Sequence, residues 1–304
     1  MLKQIKYKKS NWINILNPSK NEIRFLKENF NFHPVILEEL THPSNRSHVE
    51  HLNDTLYFVY HTPRFEAKIE TSIPSEIDFL ITKNTLITVS YQKNEILEEI
   101  FSICETNPAA KHFYFSQGPG FLLYQIIRKC ANFSLRQLAH IQEKIQNVEE
   151  KMFSGKEKEV VKDISKLKRD ILNFQLISRP HQTLLESLFK EGEKFFGKKY
   201  KVYFSDLKED HQHLWNVLYN CREVIEALEI TNDNIIDIRL NEIMKIFSVL
   251  AFVTFPLMLF TSMFGMNTKN APIIGNKYDF WIIVTIMSAL TFLMFAIFKR
   301  KKWI

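Results

Sequence analysis

Three cysteines, Cys104, Cys130 and Cys221, are all that 304 residues provide, and none has CxxC or metal-ligand spacing. A disulfide framework and a zinc ribbon are both excluded, and the three are expected as reduced, buried thiols of a reducing compartment. No P-loop, HExxH or nucleophile motif occurs, which argues against an enzyme. The net charge of +6 arises from 40 Lys and Arg scattered among 34 Asp and Glu. Without a recognition motif or an aromatic-basic stripe, nucleic acid is not an expected partner. The first residues, MLKQIKYKKS, have no apolar core, so no signal peptide is expected there. The most informative absence lies at the other end: no Lys, Arg, Asp or Glu falls between Lys245 and Lys269, and none between Asp279 and Lys299.

Those two gaps hold IFSVLAFVTFPLMLFTSMF and WIIVTIMSALTFLMFAIF, each close to the ~20 residues that a bilayer core demands. Both read as transmembrane helices. The cluster Lys299, Arg300, Lys301 and Lys302 follows the second at once and should stay cytoplasmic by the positive-inside rule. With two spans, the N-terminal part is then cytoplasmic too, in the cell's inner membrane, and the loop between the spans faces outward. Composition agrees: at 45% hydrophobic, 24% charged and mean hydropathy −0.17, most of the length must be a soluble body on a small anchor.

Within that body, Trp12 to Ile15 reads as a short strand, and Asn17-Pro18 leads into an amphipathic helix with Ile23, Leu26 and Phe30 at helical spacing. A second helix begins near His33-Pro34. TLYFVYHTPRF and EIDFLITKNTLITVSYQ carry strand-forming residues, with a tight turn at Lys83-Asn84. This first third is an α/β domain. Residues 120–193 switch to helical spacing, read as two antiparallel helices broken at Gly155. From near Ser205 there is no Pro or Gly until Pro256, so one helix of roughly 60 residues, ~90 Å at 1.5 Å per residue, carries the first span up as a stalk. Leu207, Leu214, Cys221, Leu228 and Ile235 recur every seven residues along it, consistent either with core packing against neighbouring helices or with self-association. The fold class is thus a mixed α/β membrane protein: a cytoplasmic α/β domain with a helical hairpin, and a long stalk helix continuing into the first of two C-terminal transmembrane helices. The expected division is 1–204 for the α/β and helical domain, 205–244 for the stalk, 245–267 for the first span and its GMN signature, 268–279 for the external loop, 280–298 for the second span and 299–304 for the basic tail.

The order of these elements, the stalk ending NEIMKIF, Pro256 in mid-span, Gly265-Met266-Asn267 at the span's outer end, and the final KRKKWI together resemble the CorA family of divalent-cation transport proteins. FHPVILEEL, FLITKNTLITV and YFSDLKEDH also resemble family segments, so the likeness covers almost the whole chain. It implies a homopentamer whose five first spans line one pore, carrying Mg²⁺ inward in channel fashion, with Co²⁺ and Ni²⁺ as further cargo. Asn267 with the backbone carbonyls of Gly265 and Met266 would form the selectivity filter. Neutral oxygens suit a hydrated Mg²⁺, which gives up water reluctantly; for Asn267 alone, a helix C-cap is the plainer reading. Helical spacing from Asn241 places Met244, Phe247 or Ser248, Ala251, Phe255, Met258 and Ser262 on one face. The resemblance makes Met244, Phe247 and Phe255 hydrophobic constrictions; without it, that face is ordinary lipid or interhelical packing.

Departures from the family pattern are specific. Phe264 replaces a common Tyr, Met258 stands where a pore threonine is common, and the external loop has Lys269 and Lys277 against one acid, Asp279, which weakens cation attraction. The resemblance also implies a regulatory Mg²⁺ held between cytoplasmic domains by Glu38, Glu39 and Asp206, whose alternative is a solvated helix face with incidental acids. Arg128 stands where a carboxylate of a second regulatory site is frequent, so it is expected either to pair with Glu38 or to point to solvent. His211 and His213, beside Asp206, Glu209 and Asp210, raise a zinc site, against which stands a wet stalk surface. Competing functions are a Zn²⁺ transporter of the same superfamily and a non-conducting membrane-tethered scaffold.

Overall fold

The computed structural model describes residues 1–304 except 45, 53, 155–156, 267–272, 276 and 302–304. Two compact units result, residues 1–229 and 230–304.

The first unit is built on a six-stranded sheet. Its strands are β1 (Leu2–Tyr7), β2 (Ser10–Leu16), β3 (Val49–Leu52), β4 (Thr55–Glu66), β5 (Thr71–Ile81) and β6 (Thr85–Ser90), in the spatial order β1-β2-β6-β5-β4-β3. Only β2 and β6 run parallel. Side chains alternate across a strand, and here both sets are apolar. Trp12, Phe58, Tyr60, Ile77 and Phe79 enter one core; Ile13, Ile15, Tyr57, Val59, Leu80 and Ile87 enter the other. A sheet so composed must be covered on both faces. The helices α1 (Lys20–Asn29) and α2 (Pro34–Glu39) cover the second core, through Leu26, Ile36 and Leu37. On the first core lie α3 (Glu95–Thr106), α4 (Pro108–Phe115), the start of α5 (Pro119–Phe153) and α7 (Pro180–Phe196). Where β2 meets β6, the Trp12 indole N–H donates to Thr88 Oγ1 at 3.0 Å, and Thr88 donates on to Asn14 Oδ1 at 2.8 Å. This chain satisfies polar groups that burial would otherwise strand.

The tight turn at Lys83-Asn84 is present between β5 and β6. Strand β5 starts earlier than its apolar run, at Thr71, because its first half lies on α6 (Glu157–Ser178): Ser72 N donates to Asp170 Oδ1 at 2.6 Å and Asn173 Nδ2 donates to Thr71 Oγ1 at 2.9 Å.

The helical region holds three helices rather than two. Residue 155, the expected break, lies outside the described residues, between α5 and α6. A second break falls at Arg179, after which Pro180 opens α7. The reason is local: proline has no N–H to donate and clashes with the carbonyl four residues back, yet it suits the first helical position. Helices α3 and α4, absent from the sequence expectation, are announced by their caps. Asn94 Oδ1 accepts from the N–H groups of Ile96 and Leu97, and Asn107 Oδ1 from those of Ala109 and Ala110. The three cysteines are free and buried.

Helix α8 (Lys201–Phe264) runs 64 residues unbroken through Pro256. In its lower part Leu207, Leu214, Cys221 and Leu228 are buried, so those heptad positions are covered by the chain's own helices. The second unit contains the upper part of α8 and α9 (Asp279–Arg300). Both carry windows apolar enough to cross a membrane, with mean hydropathy 2.1 and 2.4. Hydroxyls in the two apolar stretches bond back to their own helices: Ser248 to the Met244 carbonyl, Thr254 to Leu250, Thr261 to Met258, Thr285 to Trp281 and Thr291 to Met287. Hydrocarbon offers such groups no other partner.

Candidate ion path and cytoplasmic carboxylates

Asn267, the central residue of the filter reading, lies outside the described residues. The two residues before it are placed. Gly265 follows the last turn of α8 and donates its N–H to the Thr261 carbonyl at 2.9 Å. A Cβ added at Gly265 would stand 3.1 Å from that same oxygen, a tight contact against backbone. Met266 is exposed.

Below them, α8 presents two opposite faces. Val249, Val253 and Leu257 follow at i,i+4; the two valines are buried, and Leu257 lines a groove with Val284, Met287 and Phe295 of α9. Residues two apart on a helix point roughly 200° apart, so Ala251 and Phe255 lie on the other side. Met244, Phe247, Phe255 and Met258 are each about two-thirds exposed in the single chain, and Asn241 and Ser262 are exposed as well, while Ala251 is half-buried. The candidate pore face is therefore the face of α8 turned away from α9. Pro256 leaves the Phe252 carbonyl without its usual donor.

In the first unit, Glu38 is exposed at the end of α2 and Glu39 half-buried. Asp206, in the second turn of α8, keeps different company. Its Oδ2 accepts from the Tyr124 hydroxyl at 2.6 Å and lies 3.8 Å from Arg128 Nε. Arg128 also lies 3.9 Å from Asp210 Oδ2 and over the Tyr124 ring. Within one chain, then, the partners of Arg128 are Asp206 and Asp210 rather than Glu38, because α5 and α8 pass side by side there. Burial, with Asp206 beside it, pushes the Asp210 carboxyl above its usual range, against the opposing pull of Arg128. Burial and the bond to Asp206 push the Tyr124 phenol up to about 12. Tyr124 was not singled out from sequence: it is 82 residues from Asp206, and no local pattern links them.

Glu39 faces His48 and Glu50 instead. His48 Nε2 is 3.3 Å from Glu39 Oε2 and 3.9 Å from Glu50 Oε1. Glu50 comes from β3 and His48 from the residue just before it; that four-residue strand is too short to show alternation.

The zinc reading at His211 and His213 fails on geometry. His211 turns into the protein, edge-on to His181, whose ring stacks on Tyr60 at 4.2 Å, whereas His213 is exposed on another face. Burial holds His181 down to about 3 and His211 down to about 4.

Residues 7–300 match the family model described as CorA-like Mg2+ transporter protein. The chain is 21% identical over 294 residues to the cobalt/magnesium transport protein CorA of Thermotoga maritima, covering 96% of this chain and 83% of that one. It is 24% identical over 293 residues to the protein of the same name from Methanocaldococcus jannaschii, covering 96% and 91%. The complete structure of the M. jannaschii CorA magnesium transporter superposes with a TM-score of 0.87 over 99% of this chain and 94% of that one. With a family match spanning all but the first six and last four residues, an α/β body, a long helix and two apolar C-terminal helices, this chain belongs to the CorA-like Mg²⁺ transporter family.

Proposed function

We propose that the protein carries Mg²⁺ into the cell as a channel-like homopentamer, with Co²⁺ and Ni²⁺ as further cargo. The observation that carries this reading is the exposed apolar face of α8, on the side away from α9. In a single chain, Met244, Phe247, Phe255 and Met258 would meet lipid. Around a five-fold axis the same residues would line a narrow dry conduit that conducts when it wets. Five copies of Asn267 at its outer end would hold the hydrated ion through neutral oxygens, suited to a small cation that dehydrates reluctantly.

The body would be cytoplasmic, as would both termini, since the basic cluster after α9 stays on that side. Glu38, Glu39 and Asp206 would sense cytoplasmic Mg²⁺ at subunit boundaries. Hard carboxylate oxygens fit that ion. Asp206, however, is already hydrogen-bonded to Tyr124 and flanked by the guanidinium of Arg128, so its share in an ion site is reduced by a tethered cation that cannot leave.

Ion flux into proteoliposomes, with Mg²⁺ and Zn²⁺ measured side by side, tests the reading. Mg²⁺ entry saturating ahead of Zn²⁺ is expected. Flux of Zn²⁺ alone would transfer the protein to a zinc-transport role, and no flux of either would leave a scaffold.

A further inference from the structure

We infer that Glu39, His48 and Glu50 form a binding site for one first-row transition-metal dication per chain, of the Zn²⁺, Co²⁺ or Ni²⁺ class. This inference does not rest on the transport reading.

The backbone beside His48 bears on its tautomer. His48 Nδ1 lies 3.1 Å from the Arg46 carbonyl oxygen. A carbonyl only accepts, so Nδ1 carries the hydrogen, and in the neutral ring Nε2 presents a lone pair. That lone pair faces Glu39 Oε2 at 3.3 Å and Glu50 Oε1 at 3.9 Å. Glu39 Oε2 is shut off from solvent and accepts no hydrogen bond. The Tyr57 hydroxyl also reaches Glu39, but the three converging atoms include no donor of their own, and they repel one another unless a cation or a proton sits between. One ligand atom from each residue lies within 4.8 Å of the others. Two ligands about 2.1 Å from a tetrahedral metal stand roughly 3.4 Å apart, so small side-chain rotations would bring this set into coordination.

Two further features point to a metal. A histidine whose second nitrogen donates to a backbone carbonyl is the usual second-shell arrangement of a metal-binding imidazole. The His48 ring is also held edge-on against Tyr57, their centroids 5.5 Å apart, and Tyr57 is itself buried. One nitrogen with two carboxylates suits Zn²⁺, Co²⁺ or Ni²⁺, whereas Mg²⁺ prefers oxygen alone. An ion here would draw Glu39 toward β3 and away from any site at a subunit boundary.

The test uses the full-length protein in detergent, with Mg²⁺ in large excess to fill all-oxygen sites. Co²⁺ is titrated while its visible absorption is recorded, and Zn²⁺ is then added as competitor. The wild type should bind one more Co²⁺ per chain than His48→Ala, with absorption that Zn²⁺ abolishes. Glu50→Gln should weaken that binding at least about tenfold, since even second-shell losses cost roughly 10–100-fold. Should His48→Ala lose its fold by circular dichroism, Glu50→Gln, isosteric and on the edge strand, carries the test. Equal Co²⁺ stoichiometry and affinity in the wild type and the folded variants would overturn the inference and leave a proton as the shared cation.

Discussion

Arg128 would change any regulatory ion chemistry at Asp206 by a single charge. Where a removable ion would sit between acids, a guanidinium stands 3.8 Å from Asp206 and 3.9 Å from Asp210, permanently charged and unable to ligate a metal. Arg128→Asp should therefore steepen the inhibition of flux by cytoplasmic Mg²⁺, read as a higher Hill coefficient. An unchanged curve would mean that Asp206 takes no part in sensing. A second residue-scale consequence concerns acid. His181 and His211 are buried and neutral when folded, held down to about 3 and about 4 against an ordinary 6.5. Their folded pKa values are depressed, so the stability they allow is fully present above 6.5 and is lost as pH falls toward those lower values. Each contributes up to about 1.4 kcal/mol per pH unit in that window. Thermal unfolding of the full chain should show a falling midpoint below pH 6.5, and His181→Phe, which keeps a ring on Tyr60, should flatten that fall. A variant as acid-sensitive as the wild type would place the titration elsewhere.

Among the elements, α7 and α8 depend on a missing side chain. A Cβ at Gly192 would stand 2.5 Å from the Phe204 ring, which is itself buried. Gly192→Ala should cost about 1–3 kcal/mol by overpacking, visible as a lowered unfolding midpoint; a variant as stable as the wild type would show that the Phe204 ring can shift freely. The elements also show what a sequence can disclose. The two apolar helices were legible as gaps in charge, the sheet as strand-forming runs, and α8 as a stretch without Pro or Gly before Pro256. The split at Pro180 is not in the two-helix expectation: proline is a breaker, but the helical spacing on either side conceals the break. Strand β3 gave no signal, being four residues long, and with it went Glu50 and the adjoining His48. The Tyr124–Asp206–Arg128 cluster was equally hidden: each residue sits on a helix whose own periodicity says nothing of the helix beside it.

For the whole molecule, conduction along the exposed face of α8 requires that chains assemble. One chain leaves Ile238, Met244, Phe247, Phe255 and Met258 exposed along α8, a face that would meet lipid in a monomer and be enclosed in an assembly. Native mass spectrometry in detergent should give five chains; a monomer would remove the conduit. The conduit's outer end is where the claim is most exposed to test. Mg²⁺ uptake into proteoliposomes should be compared for the wild type and Asn267→Ala at equal, verified assembly. Loss of uptake in the variant is the predicted result, because one substitution removes a ligand from every subunit at once. Uptake at the wild-type rate would contradict the account.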